Sequence, residues 1–487
     1  MERSGEVSDE EIPEGLPMRI VRALVHSFDR KHQALALLLT VIAALPLLAQ
    51  DARRDPEEPL AGKPTPTLLP RPAGAIVRRD VDEKGIAALI HELVGCGTRL
   101  SISSWTDPKH GIGCARDRVA ARFRQIAAES GGKLQVIVDK FETESDRTGG
   151  LVSMENVYAI LPGNDAKFEK TLFIVSGHMD SMPSKWTDPD SDAPGADDDA
   201  SGTAVSVECA RLLSKLAAGV RSPFRSTILF AAVSGEEQGL LGSKHLLEWT
   251  KQQGYLVAGM LDDDIVGADP TPGGPHRVRL FSGNGEIDDC DSPSRELARA
   301  IEEIDGPAGI RMVFRLDRFG RGGDHYYFYK AGLPAVRFTE PLENYAHQHQ
   351  TPRTEDGVEY GDLEKYLDFK LISDVVRDNA EALRQLAMAP TPPTEVRLRG
   401  AVSPDAKVSW AAADDGERAG FEILWRETTE ARWQVYDFVI AGTDTALKGV
   451  STDNHFFAVR AVGKNGARSI AVPTEMAQRP INSDTKR

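Results

Sequence analysis

Six side chains able to bind a metal or move a proton follow one another along this chain: His178, Asp198, Glu236, Glu237, Asp264 and His349. Their settings are Ser-Gly-His178-Met-Asp180, Pro-Gly-Ala-Asp-Asp198-Asp-Ala-Ser-Gly, Ser-Gly-Glu236-Glu237-Gln-Gly, Asp-Asp-Asp264-Ile-Val-Gly and His347-Gln-His349. Two imidazoles and three carboxylates suit zinc, with cobalt or manganese as substitutes, because these metals take nitrogen and oxygen donors together. A sixth carboxylate beside such ligands is a base for an activated water. One carboxylate, with two oxygens, can bridge metals about 3.5–4 Å apart. The set therefore points to a two-metal hydrolase.

Each piece alone has a plainer explanation. His178-x-Asp180 puts a carboxylate where it can hold the far nitrogen of a metal-bound ring, yet most such pairs in proteins are accidental. Asp197-Asp198-Asp199, ahead of an expected helix, also reads as an N-cap cluster favoured by the helix dipole. A histidine pair in a loop is usually surface. Glu236 and Glu237 leave the backbone in different directions, so one can bind metal while its neighbour reaches the water. The order and joint presence of the pieces outweigh the plain reading of each.

The elements that must position these residues alternate. Strands are expected at LQVIVDKF, NVYAIL, TLFIVSG, STILFAAVSG, LVAGMLDDD, VRLFSG and PAVRFTE. Helices are expected at GIAALIHELV, CARDRVAARFRQIAAE, SGTAVSVECARLLSKL, GLLGSKHLLEWTK, PSRELARAIEEI, DHYYFYKAG and KYLDFKLISDVVRDNAEALRQLA. Short unbroken apolar strands between helices predict an α/β fold: a mostly parallel mixed sheet with helices on both faces. Ligands of such sheets bind beyond the carboxyl ends of the strands. His178, Glu236 and Asp264 all fall where an expected strand ends, and acids there need a partner to be worth burying.

The chain has 487 residues and a formal charge of −16, which exceeds one ordinary domain and disfavours a nucleic-acid partner. Residues 1–50 read as a signal peptide or N-terminal anchor: Arg30 and Lys31 precede the apolar run Ala34–Ala49, which is short for a membrane span. The remainder is expected to be secreted or periplasmic, with no other integral membrane domain. A Pro-rich linker follows at 51–78, then a catalytic domain at 79–388 and a second linker at 389–394. Residues 395–480 read as a small all-β sandwich, with short alternating strands around Trp410 and a late Phe-Phe-Ala-Val-Arg-Ala-Val; they resemble a fibronectin type III module. That module is a candidate for binding an unknown surface or polymer. Of the four cysteines, Cys96 and Cys114 share a Gly-rich stretch and are the expected pair; Cys209 reads as a buried apolar residue.

Residues 80–388 resemble the family twenty-eight zinc metallopeptidases, which include secreted bacterial leucyl aminopeptidases and, more distantly, glutamate carboxypeptidase II and glutaminyl cyclase. The resemblance implies two zinc ions: His178, Asp198 and Asp264 for one, Glu237 and His349 for the second, with Asp198 bridging. It implies Glu236 as general base, Asp180 as the partner of His178, and a cis peptide at Asp198–Asp199. Asp262 and Asp263 compete with Asp264, which the following Ile-Val-Gly favours; His347 competes with His349, which its distance from Pro334 favours. Gly-Gly-Asp324-His325 resembles another family stretch and receives no catalytic role. Only 85 residues separate Asp264 from His349, which argues against the dimerisation insert of the rival family twenty. Peptides are the expected substrates and release of N-terminal amino acids the expected activity. Carboxypeptidase, dipeptidase or glutaminyl cyclase activity is the alternative, and an inactive adhesion protein the more distant one.

Overall fold

The computed structural model describes residues 69–219, 222–268, 277–284, 291–306 and 309–476. The expected leader, residues 51–68 of the first linker and Cys290 lie outside the described residues. Among the described residues, no helix is long and apolar enough to cross a membrane.

Eight strands form one sheet: β1 (Gln135–Thr143), β2 (Val152–Leu161), β3 (Thr171–His178), β4 (Thr227–Val233), β5 (Leu256–Asp263), β6 (Val278–Ser282), β7 (Ile310–Val313) and β8 (Ala335–Thr339). Their order is β1-β2-β4-β3-β5-β8-β6-β7. The central β4, β3, β5 and β8 are parallel, whereas β1–β2, β2–β4 and β6–β8 pair antiparallel. The helices are α1 (Ala75–Arg79), α2 (Glu83–Val94), α3 (Ile112–Glu129), α4 (Ala200–Ala217), α5 (Leu241–Gln252), α6 (Pro293–Asp305), α7 (His325–Lys330) and α8 (Phe369–Ala387). In β4 every residue is buried. Its Ile228, Phe230 and Ala232 join the core beneath α2, α3, α4, α6 and α8, while Leu229, Ala231 and Val233 join a second core beneath α5 and α7. Two covered faces explain why the strand is apolar without alternation.

Three local features depart from the sequence reading. Helix α8 begins at Phe369 rather than at Lys365, because Asp368 caps it by accepting the Lys370 and Leu371 N–H groups at 2.9 and 3.1 Å. Strand β7 lay unread in a short polar-flanked run. A hairpin of β9 (Arg353–Glu355) and β10 (Val358–Tyr360) turns on Asp356-Gly357, both at positive φ, the pairing that Asp-Gly favours in a two-residue turn.

Beyond Ala387 the structure is all β. Strands β11 (Thr394–Arg399), β12 (Ala406–Ala411), β15 (Asp444–Leu447) and β18 (Glu475–Met476) form one sheet in the order β15-β12-β11-β18. Strands β13 (Arg418–Glu427), β14 (Gln434–Val439), β16 (His455–Gly463) and β17 (Val472–Pro473) form the other, ordered β14-β13-β16-β17. Val408 and Trp410 of the first sheet share a core with Phe421, Phe457 and Val459 of the second. This part is fastened to the α/β part by polar contacts: Arg225 pairs with Asp415 at 2.9 Å, Arg432 with Glu302 at 2.8 Å, and the Trp433 indole N–H donates to Glu296 at 2.7 Å. Cys96 and Cys114 form a disulfide between the end of α2 and the start of α3, and Cys209 is free and buried.

Candidate metal centre

Strands β3, β4 and β5 lie side by side and end at the same edge of the sheet. His178 closes β3, Glu236 and Glu237 follow β4, and Asp264 follows β5. Helix α4 brings Asp198 and Asp199 down onto this edge, and two glycines make that approach possible. A Cβ on Gly177 would lie 2.3 Å from Gly202 C, and one on Gly202 would lie 1.9 Å from the Asp263 carbonyl oxygen. The backbone contact is locked by Asp199, whose carboxylate accepts from Gly202 N at 2.8 Å and from His178 N at 2.9 Å, and by Thr203, whose hydroxyl donates to His178 O at 2.9 Å. The Asp198–Asp199 peptide is cis.

Among the described residues, two groups of side chains hold ligand atoms all within 4.8 Å of one another: His178, Asp198 and Asp264, and Asp198, Glu237 and His349. Asp198 belongs to both. Its Oδ1 is 3.1 Å from His178 Nε2, and its Oδ2 is 2.9 Å from His349 Nε2. Glu237 Oε1 lies 3.1 Å from His349 Nε2, and Asp264 Oδ1 lies 3.8 Å from His178 Nε2. His178 Nε2 and Glu237 Oε1 are buried without a hydrogen-bond partner. Orphaned polar atoms in a buried nitrogen-and-oxygen donor set fit zinc, which would satisfy them.

The electrostatics agree. Burial alone would lower the His178 pKa, but Asp199 and the hydrogen-bonding carboxylates of Asp180, Asp198 and Asp264 outweigh it and hold the ring well above its usual range. His349 is raised likewise, against burial, by Glu237 and Asp198. Asp198 is held well below the carboxylate range, against burial, by the two imidazoles. Without metal the site thus gathers protons onto its histidines, and a cation would replace them.

The three adjacent acids of β5 do three different things. Asp263 accepts from Asn379 Nδ2 at 2.8 Å, Asp262 accepts from the His325 backbone N–H at 3.2 Å and faces its ring, and only Asp264 turns to His178. The other oxygen of Asp264 is held by buried Arg337 at 2.8 Å, leaving one oxygen for the centre. His347 stacks on Tyr366 with ring centroids 3.8 Å apart and joins neither group. Asp180 stands behind the ligands: its carboxylate accepts from the Glu236 and Glu237 N–H groups at 3.3 and 3.2 Å and lies 3.5 Å from His178 Nδ1. The half-buried Glu236 belongs to neither group. Burial and the charges of Asp264, Glu237 and Asp324 push its carboxyl well above the usual range, against the pull of His178.

Several supporting residues carried no signal in the sequence. Fully buried Arg99 donates to Met179 O and Gly195 O, both at 2.8 Å, tying the exit of β3 to the turn before Asp198. Asp362 accepts the Asp197 and Asp198 N–H groups at 3.0 and 2.8 Å. Gln348 donates to Asp198 Oδ2 at 3.0 Å. Asp324, which the sequence did mark in Gly-Gly-Asp324-His325 but without a role, is fully buried, which with the Asp262 charge raises its carboxyl and places it among the charges acting on Glu236.

Residues 156–369 match peptidase family M28. A probable zinc metalloprotease of Pyrenophora tritici-repentis is 38% identical over 433 residues, spanning 83% of this chain and 88% of the relative. A probable zinc metalloprotease of Leptosphaeria maculans is 39% identical over 417 residues, spanning 81% and 94%. Among solved structures, LapB from Legionella pneumophila is similar at 16% identity with a TM-score of 0.49, covering 66% of this chain and 77% of its own. With relatives this similar over nearly their whole length, the chain belongs to peptidase family M28 and is a zinc-dependent peptidase.

Proposed function

We propose that this peptidase holds two zinc ions and releases N-terminal residues from peptides. The observation that carries the reading is Asp198, whose two oxygens face different imidazoles and so serve two donor groups at once. His178 and Asp264 would complete one zinc site, Glu237 and His349 the other. Bound there, zinc supplies the Lewis acidity that polarises a scissile carbonyl and makes water a nucleophile near neutral pH.

The protein's own groups do the rest. Glu236, in its carboxylate form, would take a proton from the attacking water and return it to the leaving amine. Asp180 fixes the backbone of Glu236 and Glu237, so base and ligand keep a set separation. Arg337 keeps Asp264 from turning, and Gln348 does the same for Asp198. Arg99 and Arg337 are buried and already committed to carbonyls and carboxylates, and the more open Arg147 and Arg321 donate to Glu237 O and to Glu343, which favours an N-terminal amine over a C-terminal carboxylate. Export agrees with the Cys96–Cys114 disulfide, since such bonds persist in oxidising compartments. A fibronectin type III-like reading of residues 395–480 is supported by the two sheets β15-β12-β11-β18 and β14-β13-β16-β17 around one core.

The test is hydrolysis of a panel of aminoacyl chromogenic amides and their N-acetylated counterparts, by the wild type and Glu236→Gln. Free-amine substrates should be cleaved, with activity removed by chelator, restored by zinc and absent from the variant. Equal cleavage of the acetylated series, or none of either by zinc-loaded protein, would overturn the aminopeptidase reading and direct attention to C-terminal or cyclising activity.

A further inference from the structure

A cleft of about 360 Å³ opens where the C-terminal strands meet helix α6, and arginine dominates its lining. Arg295 and Arg299 come from α6 and Arg426 from β13; their side chains are only 6–7% exposed. Two carboxylates stand among them. Asp291 Oδ2 is shared by Arg299 and Arg426, both at 2.6 Å, and its Oδ1 lies 3.7 Å from Arg295 Nη1. Glu296 reaches Arg299 but gives its second oxygen to the Trp433 indole. Three guanidiniums thus face two internal carboxylates, with exposed Glu430 on the rim; Arg295 also donates to Ser282 Oγ and O, Arg299 to Ala431 O and Arg426 to Glu430 O, and Arg426 Nε is buried with no acceptor. Burial first, and then Arg299, pull the Arg426 pKa below its ordinary value, as expected where like charges crowd.

The cleft also has apolar walls. The Arg295 guanidinium lies 4.5 Å from the Phe314 ring centre and that of Arg426 lies 4.2 Å from Phe456. Phe314 is 49% exposed, a large apolar face left open beside a positive one. Guanidiniums with spare donors recognise oxyanions, and rings stacked on them accept a flat or apolar tail. Mutual repulsion is relieved when an anion enters, so binding gains from the crowding that costs the empty cleft.

We propose that this cleft is an oxyanion-binding site for a small organic acid or phosphate, distinct from the metal centre and contacted by both parts of the chain. Its occupant would lie against α6 on one side and β13 on the other, coupling them.

Calorimetric titration of the zinc-loaded full chain with benzoate, acetate and inorganic phosphate tests this. The test variant is Thr429→Glu, which sets a second carboxylate beside Glu430 on the exposed rim of the cleft, away from the metal centre. Thr429→Gln keeps the size without the charge. The expected result is saturable binding weakened at least about tenfold by Thr429→Glu, a difference of about 1.4 kcal/mol, and retained by Thr429→Gln. Arg299→Gln, if folded by circular dichroism, should weaken it as well. Benzoate binding more tightly than acetate would identify organic acids as the ligand class, whereas phosphate binding alone would restrict the site to inorganic anions. Identical isotherms for the wild type and Thr429→Glu, or no saturable binding of any of the three, would overturn the proposal.

Discussion

Asp180 is the most revealing residue to remove. It is fully buried, and its carboxylate holds two backbone N–H groups at 3.3 and 3.2 Å, those of Glu236 and Glu237. Hydrogen bonds to a charged acceptor contribute roughly 1.5–3 kcal/mol each, and these long ones belong at the lower end. Asp180→Ala loses both, about 3 kcal/mol, or about two decades at 1.4 kcal/mol per decade. Asp180→Asn keeps one carbonyl-type oxygen and should lose about half of that energy, roughly a decade. Loss of a carboxylate supporting metal ligands commonly costs a similar 10–100-fold in affinity or activity. The damage should be uneven. His178 Nδ1 also faces the Asp180 backbone oxygen at 3.2 Å, which no substitution removes, so the Glu237–His349 site should weaken more than the His178–Asp264 site. The assay is stoichiometric zinc competition against a chelator together with kcat/KM at saturating zinc. An Asp180→Ala protein within about threefold of wild type in both, while folded, would refute the argument, because two decades is far outside that range.

Gly202→Ala should fail to fold or lose well over 1 kcal/mol in thermal denaturation, since its new Cβ would meet the Asp263 carbonyl oxygen at 1.9 Å; Gly416→Ala, with nothing within 4 Å, should be nearly silent. Arg225→Ala leaves the buried Asp415 without its bidentate partner and should cost about 3–5 kcal/mol in chemical denaturation. Arg225→Ala/Asp415→Ala together should cost less than the single change. The Asp378 carboxyl is pushed by burial from 3.8 up to about 7, so the folded state keeps a proton that the unfolded chain has released. Its contribution to stability is present in full below about 3.8 and is lost as pH rises through about 7. Asp378→Asn should flatten the melting temperature over that window, and an unchanged slope would count against the assignment.

The sheet was legible because its central strands are apolar on both faces, a pattern that polar edges and helices bracket clearly. β3, β4, β5 and β8 were placed to within a residue or two for that reason, and β7 was missed because its four residues, Ile310–Val313, carry little pattern. The grouping of His178, Asp198, Glu237, Asp264 and His349 could be anticipated because acids and imidazoles at strand ends need a common partner. Their supports could not. Arg99, Asp362 and Gln348 act through backbone or single hydrogen bonds across 80 to 164 positions of chain, and nothing local marks them. Asp262 and Asp263 were separable from Asp264 only through resemblance, since pleat alternation alone leaves Asp262 and Asp264 equivalent. The Asp356-Gly357 turn did have a signal in its dipeptide, and went unread because its strands are only three residues long.

The hairpin that this turn caps leaves and returns at the same residue. His349 and Gln348, before it, reach the Asp198 carboxylate, while Asp362, after it, grips the Asp198 backbone N–H. A bond from Gly361 N to Ala346 O closes the base at 3.2 Å, and residues 353–359 are exposed. With both feet anchored to one aspartate, the intervening chain can lengthen, shorten or change composition without altering how the metal centre is held.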